Sequence, residues 1–152
     1  MTDLTKGIIE INGFTFQPGT TKDEVLAFFG DKVRVLELST GPRVKFLGKH
    51  YIAENLYAYA FNFSNEGVLK NFSLVPVTPP SIKDYGYGEI PKAKLAIAKE
   101  WLKGVVDSEP TTDFPEGISY HFDSVHISSF LHRDIHYGLV GGEINLRFDS
   151  EV

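Results

Sequence analysis

The stretch Tyr57-Ala-Tyr59-Ala-Phe61-Asn-Phe63 alternates aromatic residues with small or polar ones, and it decides the fold more than any other part of the chain. Alternate residues of a β-strand point to the same face of a sheet. The pattern therefore predicts a strand with four rings on one face, and we expect those rings to lie in the core. Ser64-Asn-Glu-Gly67 follows as a turn, and residues 68–77 return as the partner strand.

The first helix is predicted from Thr21-Lys-Asp-Glu24, which has the form of a capping box. In this motif the threonine oxygen accepts a hydrogen bond from a backbone N–H, and the glutamate reaches back to the N-cap. Apolar residues between Val25 and Phe29 supply a face that must dock on a core, and Gly30 favours a helix end. Before the helix, Asn12-Gly13 lies between apolar residues and predicts a tight hairpin turn.

A second helix is predicted from Lys92 to Val105, with Pro91 at its first position. Strand-like segments follow it, and they cover residues 118–122, 125–131, 133–137 and 143–148, with one continuous strand over 125–137 as an alternative. The high aromatic content favours strand over helix. We therefore predict an α+β fold, two helices packed on an antiparallel β-sheet, in a single domain over residues 1–152. A tandem of two helix-plus-four-strand halves is a further expectation, with halves 1–77 and 91–152 joined by a connector over 78–90.

The bulk composition limits the function. The chain of 152 residues carries a formal charge of −5 and no cysteine, which excludes disulfides, thiol catalysis and thiolate metal sites. We expect no nucleic-acid binding, because the most basic segment, Arg43 to Lys49, alternates with apolar residues like an ordinary strand. No run approaches the roughly 20 apolar residues that span a bilayer, so we expect no membrane contact. Residues 1–6 lack the features of a signal peptide, and we expect a cytoplasmic protein.

Four of the five histidines lie between His121 and His136 and form the first candidate for chemistry. If this segment is a β-strand, its even-numbered residues share a face, and that face carries four metal-binding side chains: His126, His132, Asp134 and His136. Imidazole and carboxylate groups suit zinc or another divalent ion, which gives the hypothesis of a small metal-dependent hydrolase. The alternative is a polar sheet face rich in histidine, because residues four apart on a strand are about 13 Å apart. No nucleophile elbow, phosphate loop or dinucleotide motif is present, so we predict no catalytic residue and no cofactor.

The connector from Thr78 to Gly88 is rich in proline and glycine and is predicted to be irregular. Tyr85 and Tyr87 lie in it beside Asp84, and tyrosine is enriched at protein interfaces. We predict these three residues as a partner-binding site, with packing against the body as the alternative. A mild acidic excess suits a basic protein partner, such as a toxin or an enzyme. The chain is thus expected to be a non-enzymatic protein-binding module, and a structural homo-oligomer formed by sheet-edge pairing is an alternative.

The segment Gly19-Thr-Thr-Lys-Asp-Glu-Val25, ending in Gly30 and followed by strands, resembles a module shared by two groups of proteins. These are the β-lactamase inhibitory protein group and the outer-membrane lipoproteins of the barrel-assembly type. The resemblance covers about the first half of the chain, and the second half matches in element order. In style the chain is also similar to immunity proteins that neutralise bacterial toxins. The resemblance implies an inhibitor or immunity-type protein that blocks a partner.

Overall fold

The computed structural model describes residues 2–149, with 49% strand and 21% helix. The strands of this range are β1 (Ile9–Ile11), β2 (Phe14–Phe16), β3 (Val33–Leu38), β4 (Gly41–Ala53), β5 (Leu56–Phe63), β6 (Leu69–Pro76), β7 (Thr112–Phe114), β8 (Gly117–His121), β9 (Val125–Asp134), β10 (Gly138–Gly141) and β11 (Ile144–Phe148). The α-helices of the same range are α1 (Lys22–Phe29) and α2 (Glu89–Val105).

The predicted α+β class of two helices packed on a sheet is wrong, because the protein is mostly β. The sequence patterns led to an underestimate of the strands: β4 runs for 13 residues and β9 for 10, whereas α1 has 8. Residues 133 and 134 continue β9, so the separate strand predicted from residue 133 to 137 does not form. The second helix begins at Glu89, ahead of the predicted Lys92, and Pro91 lies within its first turn.

The main sheet is built from two successive meanders that meet at their last strands. Its order among residues 2–149 is β3-β4-β5-β6-β11-β9-β8-β7, and β10 pairs with β9 beyond the end of β11. All of its strand pairs are antiparallel, and β6 meets β11 through the register Leu74↔Ile144 to Asn71↔Arg147. The chain therefore forms one continuous sheet to which both meanders contribute. The predicted halves 1–77 and 91–152, joined by a connector over 78–90, stay a prediction. The prediction of a single domain over 1–152 stays a prediction, and residues 1 and 150–152 lie outside the described residues.

The hydrophobic core lies on one face of this sheet and draws on both meanders. The β1–β2 hairpin covers the first meander, with the rings of Phe16 and Phe61 stacked at 3.8 Å. Helix α1 packs beside the hairpin, and the rings of Phe29 and Phe46 are 4.9 Å apart. Helix α2 contacts β6, β8, β9 and β10, and it buries Leu102 in the same core. Burial of these apolar side chains is the main source of stability.

Two local predictions are confirmed by the structure. Thr21 accepts from the backbone N–H of Glu24, and the Glu24 carboxylate accepts from the Thr21 backbone, so the capping box forms. Asn12 and Gly13 both have positive φ, 51° and 87°, and they join β1 to β2 as a tight turn. These signals are local, and neither depends on distant parts of the chain.

The prediction that four aromatic rings share a face of β5 is wrong. A β-bulge interrupts the pairing of β5 with β6 at Tyr59, between the pairs Ala58↔Leu74 and Ala60↔Ser73. The extra residue reverses the alternation, because a one-residue shift moves every later side chain to the other face. Phe61 and Phe63 are therefore buried in the core, whereas Tyr57 and Tyr59 lie on the opposite face of the sheet.

Candidate functional site

Among residues 2–149, the hairpin and both α-helices pack on the core face of the sheet, and the opposite face meets α2 at Lys94, which lies beside Tyr57 and Asn145. Ring contacts and shared core residues show the packing on the core face. We call the opposite face the open face. It is defined by the side chains of β3 to β9 and β11 that point away from the core, in the three groups described next. Because the sheet is continuous, the open face extends across both meanders.

The first group is a row of small polar residues that crosses the second half of the sheet. The register places them side by side on adjacent strands: Ser73, Asn145, Ser128, Ser119 and Thr112. The Ser73 hydroxyl donates to Asn145 Oδ1 at 2.8 Å, and the hydroxyls of Thr112 and Ser119 are 2.6 Å apart. Because they are short, the side chains of Asn145, Ser128, Ser119 and Thr112 form the floor of a depression of about 550 Å³.

The second group is a row of longer polar side chains that runs parallel to the first. On the strands that both rows cross, its members lie two residues away from those of the first row. Register again sets them side by side: Arg43, Asn62, Asn71, Arg147, His126 and His121. Arg43 Nε donates to Asn62 Oδ1 at 2.8 Å, and Asn62 Nδ2 donates to Asn71 Oδ1 at 2.6 Å. At the other end, His126 Nε2 is 2.6 Å from Asp149 Oδ2. These cross-strand contacts hold the row in fixed positions.

The third group consists of aromatic side chains at both ends of the open face. Tyr51, Tyr57 and Tyr59 lie on β4 and β5, and Tyr51 and Tyr59 are 51% and 40% exposed. Burial raises the pKa of the Tyr57 phenol above its usual value of 10.0, with smaller contributions from Tyr59 and Tyr51. Phe114 and Phe130 lie on β7 and β9, exposed by 57% and 41%. Half-exposed rings of this kind offer large apolar area to a partner.

The predicted metal-binding residues are not brought together by the structure. His126 pairs with Asp149, and its ring centroid is 4.5 Å from that of His121. His132 lies six residues further along β9, about 20 Å away at the rise of a strand. Asp134 accepts from the backbone N–H of His136 and closes the turn after β9. Among residues 2–149 no group of three or more His, Cys, Asp or Glu side chains could hold a metal ion.

The predicted connector site lies outside the open face, at the start of α2. Tyr85 and Tyr87 are 72% and 78% exposed, so their rings do not pack on the body. Their backbone N–H groups donate to Glu89 Oε2, and Asp84 Oδ1 accepts from the Gly86 N–H. The connector is therefore an ordered turn that presents two tyrosines. Its role in partner binding stays a prediction.

The open face was missed in the sequence because its rows are formed by residues from distant strands. Ser73 and Asn145 touch although they are 72 positions apart in the chain. The one available signal was the alternation of Arg43 and Lys45 with buried Val44 and Phe46, which indicates a strand with a polar outer face. We interpreted this segment as an ordinary strand and did not assign a binding function to the face that carries Arg43 and Lys45.

Comparison with known proteins gives no match to a family model, to a curated protein or to a solved structure. The resemblance to the β-lactamase inhibitory protein group, the barrel-assembly lipoproteins and the immunity proteins therefore stays a prediction. Of the helices within residues 2–149, none combines the length and the apolar character that a membrane crossing requires.

Proposed function

We propose that this protein is a non-enzymatic module that binds another protein through the open face. One observation carries the proposal: the hairpin and the helices pack on one face of the main sheet, and half-exposed aromatic rings lie at both ends of the opposite face. Aromatic residues and arginine are enriched in protein interfaces, and both are present on this face. An inhibitor or immunity-type role is the finer form of the proposal, because a rigid face of this extent can block a surface of its partner.

The polar groups of the open face favour binding at low entropic cost. Ser73 is already paired with Asn145, and Asn62 with both Arg43 and Asn71, so these side chains occupy set positions before a partner arrives. Side chains that are ordered in advance lose less conformational freedom on association. The short residues of the floor leave room for protruding side chains of the partner, while the tyrosines and phenylalanines supply apolar area to bury.

The test begins with affinity purification of the partner from the native host, followed by titration calorimetry with the purified pair. The informative variant is Tyr59→Ala with Phe130→Ala, one ring from each end of the open face. We expect it to weaken the complex by at least about 2 kcal/mol, the loss typical of aromatic hot spots. Both rings are only about 40% exposed in the free protein, so a thermal melt must show that the variant is folded at the temperature of the titration.

The matched control is Tyr85→Ala with Tyr87→Ala, which also removes two exposed rings but leaves the open face intact. We expect this control to bind the partner with near wild-type affinity. A loss confined to the connector variant would instead assign partner binding to Asp84, Tyr85 and Tyr87. Failure to recover any stoichiometric partner, or wild-type affinity in the Tyr59/Phe130 variant, would contradict binding through the open face.

A further inference from the structure

The cations of the first meander are concentrated on the open face. Arg34 and Lys45 are paired in register on β3 and β4, and Arg43 lies two residues from Lys45 on the same side. Lys49 lies further along β4, over the ring of Tyr57. Strands β3 to β6 contain one carboxylate, Glu37, and it lines a depression on the other side of the sheet, beside α1. The open face of β3 to β5 is therefore basic, although the chain carries a net charge of −5.

These four cations have no carboxylate partner among residues 2–149, in contrast to Lys99, Lys103 and Arg147. Lys99 and Lys103 of α2 both pair with Asp113, at 2.9 Å and 2.6 Å. Surface ion pairs contribute little to stability, so an unpaired surface cation is common and does not by itself indicate a site. What distinguishes these four cations is that they share one face with no carboxylate among them, so their combined positive potential is available to an incoming ligand.

Three of the four cations are held in place by open-face neighbours. Lys45 Nζ is 4.8 Å from the centroid of the Tyr59 ring, and Lys49 Nζ is 5.6 Å from that of Tyr57. Both distances are in the range of cation–π attraction. Arg43 uses Nε to donate to Asn62, which orients the guanidinium and leaves its two terminal nitrogens for another acceptor. A planar guanidinium of this kind suits a carboxylate in bidentate geometry.

The size of the basic area favours a protein over a nucleic acid as the source of the anions. Arg34, Arg43 and Lys45 lie within about 10 Å of one another, given the spacing of adjacent strands and alternate residues. The row beside them continues as the neutral amides of Asn62 and Asn71, and the Arg147 and His126 that follow both face the carboxylate of Asp149. A long polyanion would instead need a basic stripe, and it would be repelled by the acidic remainder of the chain.

We propose that the basic area of the open face, Arg34, Arg43, Lys45 and Lys49 with Tyr57 and Tyr59, recognises a cluster of carboxylates on the surface of the protein partner. This inference rests on the proposed function and names the chemistry of the partner. The sequence led us to expect a basic partner, whereas this inference proposes an acidic contact surface on the partner. The local charge of the contact surface determines electrostatic complementarity, and the net charge of the chain does not.

A labelled peptide of ten glutamates is the probe for this inference. We expect it to bind the whole protein at low ionic strength and to shift the amide NMR signals of β3, β4 and β5. Binding should weaken as the salt concentration rises from about 20 mM to about 150 mM, because exposed charges are screened. Arg34→Gln with Lys45→Gln should reduce the affinity at least about tenfold. Both positions are on the sheet surface, and a thermal melt of the variant confirms that it is folded.

The matched control is Lys83→Gln with Lys92→Gln, which makes the same change in net charge at two exposed lysines of the connector and α2. It should bind the glutamate peptide as the wild type does. Equal loss in both variants, or no binding of the peptide, would overturn the inference. Tighter binding of a ten-nucleotide single-stranded DNA would overturn it in favour of nucleic acid. If the protein partner is lost in the Tyr59/Phe130 variant but retained by Arg34→Gln/Lys45→Gln, the proposed function stands and the carboxylate inference fails.

Discussion

The ring of Phe130 lies against the backbone of Gly117, its partner on β8. A Cβ at Gly117 would be 1.9 Å from Phe130 Cδ1, so the ring occupies space that any side chain at this position would fill. Phe130 is nevertheless 41% exposed, since its other side faces solvent. The glycine thus sets the position of one of the aromatic rings of the open face.

Gly117→Ala should displace the Phe130 ring and reduce partner affinity. It should also lower the free energy of unfolding, because the added Cβ would lie 2.7 Å from Phe130 Cγ and the whole side chain must move to make room. A double-mutant cycle with Phe130→Ala measures the effect, because Gly117→Ala should be silent once the ring is absent. An equal affinity loss in both backgrounds would show that Gly117 acts independently of Phe130.

His50 connects the β1–β2 hairpin to β4 and should make folding stability dependent on pH. Its Nδ1 is 2.7 Å from Asn12 Nδ2, and its ring lies 4.4 Å from that of Phe46. Burial holds the pKa of His50 below 6.5; a hydrogen bond with the Leu47 backbone opposes the shift, and Lys32 adds to it. The unfolded chain therefore binds the proton first as the pH falls.

The contribution of His50 to stability should accordingly be complete above pH 6.5 and should be lost as the pH falls through the folded pKa. Denaturant unfolding of the wild type and His50→Gln between about pH 7.5 and pH 5 measures this, and the variant should show a flatter pH dependence. His132→Gln, at an exposed position, is the control and should follow the wild type. Identical slopes for wild type and His50→Gln would contradict the assignment.

Ser129 is a buried residue whose removal should stabilise the protein. Its side chain is 0% exposed on the core face of β9, and its Oγ has no hydrogen-bond partner within the described residues. A buried polar group without a partner costs about 1–3 kcal/mol of desolvation. Ser129→Ala should therefore raise the free energy of unfolding by about 1 kcal/mol. Ser128→Ala, on the open face, should leave it nearly unchanged, and destabilisation by Ser129→Ala would indicate a bound water at the hydroxyl.

Asp113 links β7 to α2 through Lys99 and Lys103, and its carboxyl should titrate below the usual range. Hydrogen bonds from Lys103 and then from Lys99 hold its pKa below 3.8. Its contribution to stability is therefore present above about pH 4 and is lost as the pH falls through the folded pKa. Carboxyl NMR titration of the wild type and of Lys103→Met measures the shift, which should be smaller in the variant. Lys92→Met should leave the Asp113 titration unchanged.

The elements that the sequence predicts well are those specified by neighbouring residues. Thr21 and Glu24 are three positions apart and form the capping box as expected, and Asn12-Gly13 makes the hairpin turn. The bulge at Tyr59 could not be predicted in this way, because it depends on the register between β5 and β6. The error in fold class has the same origin, since pairing between strands extends β4 and β9 beyond the limits that composition suggests.

The candidate site was less predictable than the fold. Clustering of histidines along the chain suggested one site, but His126 and His132 are far apart on the same strand, and His126 pairs with Asp149. The open face is instead assembled across strands, and its rows follow from the pairing of Asn145 with both Ser73 and Ser128. A single sequence carries no record of which strands are neighbours, so the surface that they share cannot be predicted from it.

Strand β11 is the last strand of the described chain, yet it lies in the middle of the main sheet, between β6 and β9. During synthesis, one edge of β6 therefore stays unpaired until some seventy further residues have left the ribosome. An open edge on a growing chain can recruit a strand of another molecule. The central place of β11 leaves the nascent protein vulnerable to aggregation until β11 has been made, and premature termination between β6 and β11 would leave that edge permanently exposed.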